Sequence, residues 1–88
     1  MKSTKLSRID GNETGTVTLA KNAMYVFVMQ NTYGGAASGV YTIRTDSSSP
    51  YAITSVKGNS DISITASGLG ITIANGSAAG LDVWYIKL

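Results

Sequence analysis

Residues 61–74 constrain the fold more than any other part of the sequence, because apolar and polar residues alternate there with a period of two. The apolar positions are Ile62, Ile64, Ala66, Leu69, Ile71 and Ile73. A period of two is that of a β-strand with one buried face. A two-residue turn at Ser67-Gly68 would place Ile64 opposite Ile71 and match every apolar residue with another. The segment therefore predicts an antiparallel hairpin whose register is fixed by its apolar face.

The rest of the chain also shows short strand patterns, separated by turns rich in Gly, Ser and Asn. These patterns are Thr16–Ala20, Met24–Gln30, Gly39–Thr45, Tyr51–Val56 and Leu81–Leu88, with Lys5–Ile9 as a further candidate. No segment of helical length has a helical period. We therefore predict an all-β fold, an antiparallel β-sandwich or jelly-roll-like domain of seven to eight short strands. Residues 1–88 are expected to form one domain, with 1–14 as a flexible or extended N-terminal arm.

Two of these segments are apolar on both faces. In Met24–Gln30, one side carries Tyr25, Phe27 and Met29, and Leu81–Leu88 shows the same two-sided pattern. An antiparallel sheet in a two-layer domain needs only one apolar face, so the second face requires another cover. We therefore expect a homo-oligomer whose interface uses the remaining apolar residues of both segments. These residues are Met24, Val26, Val28, Trp84, Ile86 and Leu88.

The residue types most used in catalysis and metal binding are missing or scattered. The chain has no Cys and no His, and its five acidic residues form no motif. General acid–base catalysis needs groups that titrate near neutral pH or carboxylates that shift one another. Asp46-Ser-Ser-Ser is the best candidate for a calcium loop, but it has too few carboxylates and is better explained as a turn before Pro50. We expect no enzyme, no catalytic residue, no metal site and no cofactor.

The charge pattern also limits the partners. The formal net charge is +2, and charged residues make up only 14% of the chain. The basic excess lies in the N-terminal arm and forms no clustered stripe, so we expect no nucleic-acid partner. The longest apolar run, Ala23–Met29, is too short to span a membrane, and we expect no membrane insertion. No secretory signal follows Met1, which predicts synthesis in the cytoplasm without a signal peptide.

Two loops combine aromatic and polar side chains in a way that suits carbohydrate. The loop Asn31–Ser38 carries Tyr33, and Thr45–Tyr51 carries Asp46 and Tyr51. Aromatic rings pack on the apolar faces of sugars, and small polar groups bind their hydroxyls. Tyr33, Asp46 and Tyr51 are therefore the candidate ligand-binding residues.

The last third of the chain resembles the C-terminal β-domains of bacteriophage virion appendages, such as tail-fibre tips and head fibres. The resemblance is carried by the hairpin 61–74 (DISITASGLGITIA), the following Asn75-Gly76 and the final Leu81–Leu88 (LDVWYIKL). The similarity consists of alternating Ile and Thr, loops of small residues and a final strand, without a shared motif, and many such domains are longer. The resemblance implies a homotrimer on the surface of a virion or extracellular particle, in contact with host surface glycans. The alternative is a monomeric carbohydrate-binding module or adhesin domain in which Trp84 or Tyr85 is exposed as a stacking platform.

Overall fold

A computed structural model describes residues 2–88, which form two antiparallel sheets packed as a β-sandwich. The strands are β1 (Ser3–Lys5), β2 (Thr14–Thr18), β3 (Met24–Asn31), β4 (Ser38–Thr45), β5 (Pro50–Lys57), β6 (Ile62–Ser67), β7 (Gly70–Asn75) and β8 (Leu81–Lys87). The prediction of an all-β antiparallel sandwich with seven to eight strands is confirmed. The strand patterns of the sequence match β2 to β8 to within a few residues, because turn residues separate them.

The two sheets differ in size. The larger has five strands in the order β1-β8-β3-β4-β5, and the smaller has three in the order β2-β7-β6. Hairpins join β3 to β4, β4 to β5 and β6 to β7, while the other connections pass between the sheets. The last strand, β8, lies between β1 and β3 and pairs antiparallel with both.

The core forms from every second residue of the strands on the facing sides of the two sheets. Tyr25, Phe27 and Met29 of β3 all point into it, as their alternation predicts. The Phe27 ring stacks on Tyr85 of β8 with ring centroids 5.0 Å apart. The fully buried side chains of the core include Ile43, Ile71, Ile73, Leu81 and Val83. Burial of these side chains is the main source of stability in a domain without disulfides.

The hairpin of β6 and β7 exists, but its predicted register is wrong by two residues. The structure pairs Ile64 with Ile73 and Ser67 with Gly70, so the turn is formed by Gly68 and Leu69. Gly68 has a φ of +58°, which suits the first central position of a two-residue hairpin turn and favours glycine there. Because the error is an even number of residues, the same side chains still face the core.

The N-terminal segment from Ser3 onward belongs to the sandwich. Instead of a strand over Lys5–Ile9, β1 ends at Lys5, and Ile9 forms an isolated bridge with Leu81. The Leu6 N–H donates to the Val83 carbonyl over 2.9 Å, and Ile9 is buried. Residues 6–9 thus run along β8, while the side chains of Leu6 and Ile9 lie against Gly15 of β2 and close this flank of the sandwich.

Two buried asparagines hold the loops at one end of the sandwich. The side-chain amide of Asn75 donates to the carbonyls of Ile9 (3.1 Å) and Ala79 (2.8 Å). The amide of Asn31 donates to the Gly80 carbonyl over 3.1 Å, and its oxygen accepts from the Ala37 N–H over 2.9 Å. Because buried polar groups are costly unless they are bonded, these contacts fix the loop conformations.

Candidate functional site: the outer face of the larger sheet

The side of the five-stranded sheet that is turned away from the smaller sheet is called the outer face here. Strand pairing sets its residues in four rows that cross β8, β3 and β4. Three of them carry the apolar residues: Trp84, Val28 and Val40; Ile86, Val26 and Thr42; and Leu88, Met24 and Arg44. The fourth row, at the end next to Trp84, is polar and consists of Asp82, Gln30 and Ser38. All six residues expected at an oligomer interface lie on this face, and the structure brings them together.

The centre of the outer face is apolar, and the chain itself covers it only in part. Val28 is 42% exposed, Met24 41% and Leu88 54%, while Val26, Trp84 and Ile86 are half-buried by their row neighbours. The outward side of an antiparallel sandwich sheet is usually polar. A contiguous apolar surface of this kind is typical of an interaction site.

Cationic side chains lie at the margins of this apolar area. The Lys5 ammonium is 5.6 Å from the centroid of the Trp84 ring and 3.6 Å from the Asp82 carboxylate. The Arg44 guanidinium lies 4.6 Å from the centroid of the Tyr51 ring. Charged groups at the margin and apolar groups at the centre are the arrangement found in protein–protein interfaces.

The three candidate ligand-binding residues do not converge. Tyr33 is 87% exposed in the loop between β3 and β4, and Tyr51 is 66% exposed at the start of β5. Tyr51 and Asp46 lie at one end of β4 and Tyr33 lies at the other. The eight residues of β4 separate the two ends by roughly 23 Å. A single small ligand cannot contact all three side chains.

Asp46 holds the turn between β4 and β5. Its Oδ1 accepts hydrogen bonds from the backbone N–H groups of Ser48 (2.8 Å) and Ser49 (2.9 Å). These bonds favour the ionised form and lower the pKa of the Asp46 carboxyl, with the Ser48 bond contributing most. The carboxylate is thus engaged in a local turn. Within residues 2–88, no three acidic side chains come close enough together to hold a metal ion.

Trp84 and Tyr85 point to opposite sides of β8. Tyr85 packs against Phe27 on the core side, whereas Trp84 lies on the outer face with Lys5 over its ring. Of the two aromatic residues considered as a sugar platform, only Trp84 therefore lies on the outer face, and Lys5 covers its ring in part.

Val40, Thr42 and Arg44 are not among the residues that the sequence predicts at the interface, although all three lie on the outer face. The alternation in Gly39–Thr45 already separates them from Tyr41 and Ile43, which are buried. Their place in the rows depends on the pairing of β3 with β4. Only a prediction of that hairpin and its register could have added them.

Within residues 2–88 there is no helix that is long and apolar enough to cross a membrane. The chain has no significant match to any protein-family model, curated protein or solved structure. Its function must therefore be inferred from its own surfaces.

Proposed function

We propose that this chain is a self-associating structural domain of a virion appendage, which acts by assembly and surface presentation and not by catalysis. The observation that carries this proposal is the outer face, where apolar side chains from three neighbouring strands lie uncovered in adjoining rows. The appendage itself is inferred from the resemblance of the hairpin 61–74 and the strand Leu81–Leu88 to phage fibre domains.

A second copy of the chain is the partner that fits this surface in size. The face spans five strands about 4.8 Å apart and about seven residues of about 3.3 Å each, or about 550 Å² per copy. Two such faces would bury about 1,100 Å², just above the roughly 1,000 Å² that a specific interface needs. The whole face is therefore required, with Trp84 and Val28 near its centre. Three copies, with their outer faces directed at a threefold axis, are favoured by the resemblance to fibre tips alone, because the area given above is that of two faces packed on each other.

Host attachment is the second part of the proposal. Tyr33 is 87% exposed in a loop at one end of the sandwich, so it stays accessible when the outer face is covered. An exposed aromatic ring suits the apolar face of a sugar. We expect a Tyr33→Ala variant to lose binding on a glycan array while its oligomeric mass stays unchanged.

Sedimentation velocity over a range of protein concentrations tests the self-association. We expect the unmodified chain to form oligomers and the Val28→Glu variant to be monomeric, because a carboxylate in the centre of the face would be buried without a partner. Thr16→Glu is the matched control, since Thr16 is exposed on β2 in the smaller sheet. This variant should associate like the unmodified chain. An unmodified chain that is monomeric at every concentration would contradict the proposal.

The alternative is a free-standing carbohydrate-binding module that uses Trp84, the aromatic residue that lies on the outer face. The Trp84→Ala variant separates the two functions. Loss of oligomers supports the interface, whereas loss of sugar binding by a protein that is monomeric throughout supports the module.

A further inference from the structure

The free edges of the two sheets are protected to different degrees. The edge strand β5 begins at Pro50, ends at Lys57 and is irregularly paired with β4 near both ends. Proline, lysine and bulges are the usual means by which an edge strand avoids pairing with another chain. The edge strand β6 has neither proline nor a charged residue, and its pairing with β7 is regular throughout. The other edge of the smaller sheet, β2, also lacks proline and charge, but the side chains of Leu6 and Ile9 lie against its Gly15. The remaining edge, β1, has only three residues and ends at Lys5. Of the four edges, β6 is therefore the one most open to a further strand.

Alternation along β6 shows which of its backbone groups are free. The Gly76 N–H donates to the Asp61 carbonyl over 2.7 Å, which begins the ladder between β6 and β7. In an antiparallel pair, every second residue bonds to the partner strand. The backbone groups of Ser63, Thr65 and Ser67 are thus directed at β7. Those of Ile64 and Ala66 point to the free edge, and no other described residue accepts their N–H groups.

The flank of the sandwich beside β6 is also open. Ile53 of β5 lies directly opposite Ile43 of β4, so both side chains point to the inner face. Ile43 is completely buried, yet Ile53 is 39% exposed. Ala66, on the core side of β6, is exposed as well. Residues 6–9 close the opposite flank, but nothing among the described residues covers Ile53 in the same way.

We propose that the β6 edge binds a single extended strand of a partner protein, which becomes the fourth strand of the smaller sheet and lies over Ile53. The strand would be uncharged, because β6 and Tyr51–Val56 carry no charge, and would present apolar side chains at alternate positions. The β6 edge belongs to the smaller sheet and shares no residue with the outer face of the larger one. Binding at this edge is therefore independent of self-association through the outer face.

A peptide with the sequence of Gly70–Asn75 is a suitable probe, because β7 already pairs with β6 in this pattern. Amide hydrogen exchange of the full chain, measured by NMR, reports where the peptide binds. We expect exchange at Ile64 and Ala66 to slow by about tenfold at saturation, because their N–H groups gain acceptors. Exchange at Ser63 and Thr65 should change little. Because β7 also pairs with β2, exchange along β2 is followed in the same spectra. Slowing confined to β1, β2, β3 or β8, or no slowing at all, would overturn the proposal.

The Ala66→Pro variant tests the edge directly. The substitution removes the N–H group of residue 66, which points to the free edge, and leaves the N–H groups that are bonded to β7. The hairpin should therefore remain, and peptide binding should be lost. Ala66→Val keeps the N–H and is the matched control, which should bind like the unmodified chain. If the proline variant does not fold, a peptide methylated at the backbone nitrogens that face β6 replaces it. Equal binding of the methylated and unmethylated peptides would rule out strand addition.

Discussion

The larger sheet has two apolar faces, and only one of them is covered. Phe27 and Val83 on the inner face are completely buried by the smaller sheet, whereas Val28 on the outer face is 42% exposed. Phe27 and Val28 are adjacent in the sequence, and both belong to the same apolar run. The difference shows that apolar residues identify the surfaces that can be buried. Which of these surfaces is buried within the monomer depends on the number and placement of the other strands.

The largest expected effect is the difference in unfolding free energy between the same substitution at two valines, one on each face of the larger sheet. Val83→Ala removes two buried methyl groups and leaves a cavity, which should lower the free energy of unfolding by about 2–3 kcal/mol. Val28→Ala removes the same atoms from a partly hydrated position and should cost below about 1 kcal/mol. Urea unfolding of dilute, monomeric protein measures both values. Equal losses would mean that the outer face is covered within the monomer.

The dependence of the unfolding midpoint on protein concentration gives a second comparison between Val28 and Val83. Association through the outer face stabilises the folded state by mass action, so the unfolding midpoint of the unmodified chain should rise with concentration. The rise should be smaller for Val28→Ala, which weakens the interface. For Val83→Ala the midpoint should be lower but should rise with concentration as in the unmodified chain.

The sequence predicts the faces of the strands better than their neighbours. Alternation in residues 61–74 identified the core side of β6 and β7, because the period of two is a local property. The position of β8 between β1 and β3 could not be read in this way, since it depends on contacts between distant parts of the chain. The rows that join Trp84 to Val28 arise from that long-range pairing.

The sequence positions of the three candidate ligand-binding residues, and not only their residue types, predict how far apart they lie. Tyr33 precedes β4, while Asp46 and Tyr51 follow it. Two loops joined by a single extended strand must lie at opposite ends of the sheet. Their separation therefore follows from the predicted strand Gly39–Thr45 alone. The capping of Asp46 by the N–H groups of Ser48 and Ser49 is also local and agrees with the turn expected before Pro50.

A smaller difference in unfolding free energy is expected between a covered and an uncovered position of the inner face. Ile43→Val should lower the free energy of unfolding by about 1 kcal/mol, because it removes one methyl group from a closed core. The same change at its cross-strand neighbour, Ile53→Val, should cost only about 0.3 kcal/mol, since that side chain remains in contact with water. Thermal unfolding of the two variants measures the difference. A larger loss at Ile53 would show that the β5 flank is closed in solution.

The smallest effect concerns the partial cover that the N-terminal segment gives to the outer face. Lys5 lies over the Trp84 ring and near Asp82, but its side chain is half exposed, so its contribution should be about 0.5 kcal/mol. Lys5→Gln should lose this amount at low salt. The difference should largely disappear at high salt, where the attraction to Asp82 is screened. Lys2→Gln, a change in an exposed residue just before β1, serves as the control.

Trp84 is the only tryptophan, so its fluorescence should shift to longer wavelength in Lys5→Gln as water reaches the ring. An unchanged spectrum in the monomer would show that Lys5 does not cover Trp84, which would leave the outer face wholly dependent on a partner for its burial.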